Sequence, residues 1–437
     1  MECPPRGAGA EDLALLTKSW ALFRRYETLL IIALHLTTVF LNWHIVVGVL
    51  PRYALEFGVS LAAAGLLISA FTAARILLNF PAGVLTDRIG RRPLLLGGGV
   101  LCALGSLGSG LVPGFNELIV MRFLCGAGGA IAITAQQTIM ADLSTRQNRA
   151  RLMSFNEGII GIGVALGPAV GGLVAAAYGL RVPFLVAGLG TLLVTIWALL
   201  RLPETRGMNA EGAPAKSGEV GVWAGLGTIL RDRNYVMIAL VGFGTFFTRF
   251  GTLFLLLPLL AYSDKIGLSL SEFGLMASAV AGAQALLLPA AGFIADRFGR
   301  KALIVPSTVL TGLALVAYGL APSREWFLVA AGFYAISSGI NGPAPGAYLA
   351  DVAPAHLRGI SMGTYRTFGD LAGLIAPIIL GIVASTTPNP GLAVAGNGVL
   401  VVAMGLAFAA LAAETHHRQA PAPLSSTTVQ EPRPAAG

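Results

Sequence analysis

Charge is scarce in this 437-residue sequence. Asp, Glu, Lys and Arg together make up 11% of it, against roughly a quarter in soluble globular chains. A water-facing surface for a chain of this length cannot be built from so few ions, which excludes an ordinary soluble enzyme or binding domain. Cysteine is almost missing too. Cys3, Cys102 and Cys125 are too few and too far apart in sequence for a disulfide framework or a metal site, so no redox or metal chemistry is expected. There is no Gly-x-x-x-x-Gly-Lys-Ser/Thr phosphate loop, and with it goes the commonest way of using ATP. The formal charge of +8 does not point to nucleic acid, because the basic residues sit in short clusters between apolar stretches and form no single face.

What fills the sequence is apolar: 55% of the residues are hydrophobic. They fall into stretches of about 20 residues, each long enough to cross a bilayer. Twelve helices are expected, at 28–50, 61–84, 94–113, 117–140, 154–178, 182–201, 236–262, 270–293, 302–321, 326–349, 360–385 and 391–413. The expected organisation is an N-terminal segment 1–27, a six-helix bundle 28–201, a flexible linker 202–235, a second bundle 236–413 and a disordered tail 414–437. The first helix runs past signal-peptide length without a small-residue cleavage site and reads as retained. With the N-terminus inside, 21 of 29 Lys and Arg lie in cytoplasmic segments. The positive-inside rule therefore puts both termini in the cytoplasm of a cell membrane. The preference for Arg over Lys, 25 against 4, with abundant Ala and Gly, hints at a bacterial inner membrane.

The two bundles are copies of each other. Gly83-Val-Leu-Thr-Asp87-Arg88-Ile-Gly90-Arg91-Arg92 returns as Gly292-Phe-Ile-Ala-Asp296-Arg297-Phe-Gly299-Arg300-Lys301, at an offset of 209. The same offset joins Asp142 to Asp351, Arg149 to Arg358, Pro168 to Pro377 and Gly172 to Gly381. Parallel repeats with a site between them at mid-membrane are the physical signature of a rocking carrier.

With these loops the sequence resembles the major facilitator superfamily over nearly its whole length. The resemblance implies an all-helical membrane fold of two pseudo-symmetric six-helix bundles, no enzymatic activity, no cofactor, and a monomer that works by alternating access. It also implies that Asp87 and Asp296 latch the cytoplasmic ends of the halves. Arg122-Phe-Leu-Cys-Gly126 in the fourth helix resembles a second motif of the superfamily, in which a buried Arg is associated with proton transfer. Gly163-Val-Ala-Leu-Gly167-Pro168-Ala-Val-Gly171-Gly172 in the fifth resembles the motif of drug:proton antiporters. One departure is Asn42, which stands where many multidrug exporters have an acid.

Ions inside apolar helices are costly and mark function. Two acids, Glu157 and Asp370, are the leading proton-binding candidates, with Arg122 and His35 beside them. His44 is a further titratable candidate. Counted along their helices, Arg75 and Asp370 fall at matching depth; the resemblance implies that the second and eleventh helices face each other across the halves, so a pair between them is expected, with Arg366, one turn from Asp370, as a competitor for the carboxylate. Arg249, flanked by aromatic residues, is expected to face the cavity. Asn42, Gln136, Gln284, Asn341 and Tyr365 complete the expected cavity lining. Four intramembrane Arg against two acids suit an anionic or carbonyl-rich solute. The expected function is proton-coupled export of small hydrophobic compounds, with H+ and the solute as partners. A symporter or uniporter of an organic anion or other metabolite, and a transport-inactive sensor or scaffold, remain as alternatives.

Overall fold

The computed structural model describes residues 8–144, 148–205, 222–342 and 344–415, and every regular element among them is a helix. The first half holds α1 (Ala8–Ile45), the short α2 (Leu50–Leu55), α3 (Leu61–Ile89), α4 (Arg91–Leu111), α5 (Phe115–Asp142), α6 (Arg149–Tyr178) and α7 (Val182–Arg201). The second begins with α8 (Val222–Arg231) and α9 (Arg233–Phe247), which a π-helical segment Thr248–Leu256 joins to α10 (Leu257–Ala261). It continues through α11 (Leu270–Phe298), α12 (Arg300–Leu320), α13 (Arg324–Asn341), α14 (Ala344–Val352), α15 (Arg358–Thr386) and α16 (Pro390–Leu411).

Among the described residues, eleven helical runs are long and apolar enough to cross a bilayer. The tenth expected span, 326–349, is broken between α13 and α14, where the sequence reads Gly342-Pro343-Ala344-Pro345. Proline has no backbone N–H to donate, so the helix hydrogen-bond ladder is interrupted in this stretch. Three expected boundaries move. The first helix begins at Ala8, inside the segment 1–27. The linker 202–235 contains α8 and the first turn of α9, while its residues 206–221 lie outside the described residues. The tail from 414 is ordered through Thr415, which is buried, and its residues 416–437 lie outside the described ones.

The reversals α3 to α4 and α11 to α12 turn on Gly90 and Gly299, whose φ values of 113° and 103° lie where a side chain is disfavoured. Gly83 and Gly292, the first glycines of the repeated loops, sit inside α3 and α11 with open space beside them.

The halves meet along two seams, α3 against α15 and α6 against α11. At the end far from the termini both seams are shut. A Cβ on Gly65 would stand 2.5 Å from the carbonyl oxygen of Pro377, and one on Gly381 2.8 Å from the Cα of Ala62. Gly172 likewise abuts Leu270, and Gly274 abuts Pro168. Hydrogen bonds stitch the same region: Tyr262 Oη donates to Gly48 O (2.9 Å), Ser69 Oγ to Leu374 O (2.6 Å), Thr72 Oγ1 to Gly373 O (3.1 Å) and Ala169 N to Ser278 Oγ (2.8 Å). Toward the terminal end the same four helices part. Gly158, Gly161, Gly282 and Gly363 have no neighbour where a Cβ would be, and Phe80 and Leu286 are 80% and 83% exposed. The molecule is therefore closed at the far end and open at the end that carries the termini.

Candidate functional site

The middle of the α3–α15 seam carries an ion pair. Arg75 stands halfway along α3, and Asp370 near the middle of α15. Arg75 Nη2 lies 3.4 Å from Asp370 Oδ1, with side chains 21% and 11% exposed. Asn79, one turn beyond Arg75, donates to Asp370 Oδ2 at 3.2 Å. Two polar groups of one half thus hold one carboxylate of the other, at the inner edge of the closed part of the seam. The Arg75 guanidinium also lies 4.8 Å over the ring of Trp43. Trp43 stacks on Phe250 (centroids 5.6 Å apart) and meets Phe254 edge-on (6.1 Å).

Phe254 connects this cluster to a cavity of about 90 Å³ between the halves. His44 and Pro168 reach it from the first half; Arg249, Phe254, Met276, Gln284, Tyr318 and Tyr334 reach it from the second. Arg249 belongs to the π-helical segment, a helix form concentrated at functional sites. The backbone there is held by Asn397, which donates to Thr248 Oγ1 at 3.0 Å and Thr252 Oγ1 at 2.8 Å. Gln284 donates to Ser338 Oγ at 2.7 Å.

Other expected lining residues lie elsewhere. Asn42 is buried inside the first half and donates to Thr191 Oγ1 at 3.3 Å. Gln136 is spent on the carbonyl of Ile32 at 2.9 Å. Asn341 is buried 3.5 Å from Thr308 Oγ1, and the Tyr365 ring packs against Gly242. His35 is wholly buried beside Thr195 Oγ1 (3.3 Å). Arg122 is buried with its guanidinium 5.2 Å over Phe71, and its Nε and Nη1 find no partner among the described residues. Glu157 and Arg366 are exposed, and among the described residues neither forms an ion pair. Arg366 therefore does not compete with Arg75 for Asp370 in this state.

The α6 motif divides its work. Gly163, Gly167 and Gly171 take the backbone or side chains of α1, whereas Gly172 meets α11 of the opposite half. Pro168 both borders the cavity and receives Gly274.

The repeated loops build a matching pair of networks at the open end. Arg91 reaches Asp87 (3.4 Å) and Asp142 (2.9 Å); Arg300 reaches Asp296 (2.6 Å) and Asp351 (3.4 Å). The Asp87 and Asp296 side chains are 74% and 73% exposed. Arg88 and Arg297 are exposed as well. Glu204 accepts from the backbone N–H groups of Arg91 and Arg92, at 3.0 and 3.1 Å. Glu414 does the same for Arg300, Lys301 and Ala302, at 3.1 to 3.3 Å. Each carboxylate satisfies the free N–H groups and positive pole of a helix start. Sequence reasoning missed both, because they fall in segments it assigned to linker and tail. The signal was there: Glu204-Thr205 and Glu414-Thr415 repeat at an offset of 210, one more than the rest.

Cys102 and Cys125, far apart in sequence, are brought together with their sulfurs 3.7 Å apart, both free thiols.

The family model described as Major Facilitator Superfamily matches residues 32–264 and 241–435. Multidrug resistance protein 1 of Bacillus subtilis is 25% identical over 83% of this chain and 91% of its own. The class H tetracycline resistance protein of Pasteurella multocida is 25% identical over 74% of this chain and 79% of its own. Among solved structures, a bacterial homologue of the human lysosomal transporter Spinster, inward-facing and unoccupied, superposes with a TM-score of 0.73 at 18% identity. That match covers 88% of this chain and 94% of the other.

Proposed function

The chain belongs to the Major Facilitator Superfamily, and from that premise we propose that it is a proton-coupled exporter of small amphipathic compounds. It is a multi-pass membrane transporter and not an enzyme. The observation that carries the proposal is the Arg75–Asp370–Asn79 contact, which spans the halves where the seam begins to part.

The chemistry of the cycle follows from one proton. With Asp370 ionised, Arg75 and Asn79 hold it and the far end stays shut, leaving the cavity open on the side of the termini. By the positive-inside rule that side is the cytoplasm, where cargo enters. Cargo against Phe254 displaces the aromatic stack under Arg75, loosens the pair and lets the halves rock. Once the cavity opens outward, a proton from outside neutralises Asp370, the cargo leaves, and the protonated form returns to give its proton to the cytoplasm. One proton enters for each cargo cycle, and charge is conserved at every step. Asp87 and Asp296 close the cytoplasmic end in the outward state, which explains why they are exposed in this one. Both halves lie in one chain, so a monomer suffices. The names of the B. subtilis and P. multocida relatives support export over import.

The test is accumulation of a fluorescent drug panel in efflux-deficient cells, with and without a protonophore, beside Asp370→Asn and Glu157→Gln at equal expression. Extrusion that is protonophore-sensitive, lost in Asp370→Asn and kept in Glu157→Gln is expected. Protonophore-sensitive uptake of the panel would replace the exporter by an importer.

A further inference from the structure

Among the described residues, Arg249 is the charge lining the cavity that has no ion-pair partner. It stands 16 residues after Arg233 and 12 before Ala261, close to the middle of its span. It is exposed into the cavity, and no ion pair of Arg249 exists among the described residues. Arg75, the other guanidinium at this depth, is already matched by Asp370. A guanidinium inside a membrane protein calls for an opposite charge or water, and no carboxylate lines the cavity. His44, the other titratable nitrogen base there, already engages the Phe40 carbonyl through Nδ1 at 2.9 Å. Apart from Gln284, whose amide donates to Ser338 Oγ, the rest of the wall is apolar or aromatic, with Val47, Leu257, Phe273, Met276 and Val280 among it. The hydrogen bonds of Asn397 to Thr248 and Thr252 hold the segment that carries Arg249. The anchor is therefore set in place before any cargo arrives, which lowers the ordering cost of binding.

We propose that Arg249 is the head-group anchor of this cavity, and that the preferred cargo is an amphipathic organic anion, a carboxylate or sulfonate on an aromatic or branched body. The planar guanidinium matches such a head group with two parallel N–H···O bonds. The inference rests on the cavity being the cargo site. A neutral cargo leaves the guanidinium without its partner, and a cationic one meets it as a like charge. The requirement differs from the coupling pair: Asp370 takes the proton and Arg249 selects the cargo.

The test uses three probes that share one fluorophore: dansylglycine (anion), dansylamide (neutral) and dansylcadaverine (cation). Each is titrated by its emission against the purified full chain in lipid nanodiscs. The expected order is anion, neutral, cation, with dansylglycine about tenfold tighter than dansylamide, as one charge-assisted contact provides. Arg249→Gln is expected to bring those two within about twofold by weakening dansylglycine alone, and Arg249→Lys to keep part of the preference. Equal affinities in the unmodified chain, a preference for the cation, or full retention of the preference in Arg249→Gln would overturn the proposal. The comparison within the unmodified chain does not depend on any variant folding. If all three probes fail to bind while the drug panel is still extruded, the anchor is wrong and the exporter stands. If the charge preference holds but nothing is extruded, the anchor stands and the exporter fails.

Discussion

Gly65→Ala opens the far end. A Cβ at this position would lie 2.5 Å from Pro377 O and 2.8 Å from Pro377 C. Ordinary contact begins at 3.4 Å, so the oxygen must retreat by 3.4 − 2.5 = 0.9 Å. Both neighbours are helix backbone, and the whole seam has to move. Overpacking of this kind costs ~1–3 kcal/mol. It costs nothing in the state where α3 and α15 part at this end, so the full amount biases the conformational equilibrium. The expected shift toward the outward-open state is about 5- to 150-fold. Pulsed electron spin resonance between labels at Leu55 and Lys265 for the far end, and at Arg88 and Arg297 for the terminal end, reads it directly, with the native cysteines replaced. The first distance should lengthen and the second shorten. Gly83→Ala is the control, because its Cβ would enter open space. Unchanged distributions in Gly65→Ala, or the same change in Gly83→Ala, would refute the assignment of the far-end seam as the moving contact.

Three further outcomes are expected. Glu414→Ala strips the acceptor from three N–H groups at the start of α12 and should cost ~1 kcal/mol, by analogy with loss of a helix cap. Thermal unfolding in detergent checks it, and Glu204→Ala should behave alike. Asn397→Ala releases Thr248 and Thr252, with a cost of ~1–3 kcal/mol visible in the same assay and a weaker preference for dansylglycine over dansylamide. Trp43→Leu removes the ring under Arg75 and its contact with Phe254; cargo binding should survive while proton-driven extrusion falls severalfold, measured as transport per unit of bound probe.

The architecture was legible because it depends on properties that single residues carry. Apolar runs show where the chain crosses, the 209-residue offset shows the duplication, and counting residues along two helices put Arg75 and Asp370 at one depth, where the contact is found. Facing was not legible. In a membrane bundle, lipid and protein neighbours are both apolar, so the pattern that separates core from surface in soluble helices is weak. Asn42 and Gln136 therefore read as cavity groups and His35 as a proton-binding candidate, although all three tie helices together inside the first half. Arg249, expected to face the cavity, borders one between the halves, but its π-helical setting involves Asn397, 148 residues away by the numbering. The thiol pair likewise arises from a chain return that spacing does not reveal, and the two glutamate caps show in the sequence only as a repeat at an offset of 210.

The coupling role of Asp370 is tested most directly in proteoliposomes loaded with an exported fluorescent compound. Active transport against a concentration gradient, driven by an imposed proton gradient, is compared between the unmodified chain and Asp370→Asn, alongside exchange at equal concentrations. Asparagine keeps a hydrogen-bonding partner for Arg75 and Asn79 but takes up no proton, so exchange should persist and uphill transport should vanish. Uphill transport at the unmodified rate in Asp370→Asn would contradict the account, because the proton would then enter elsewhere.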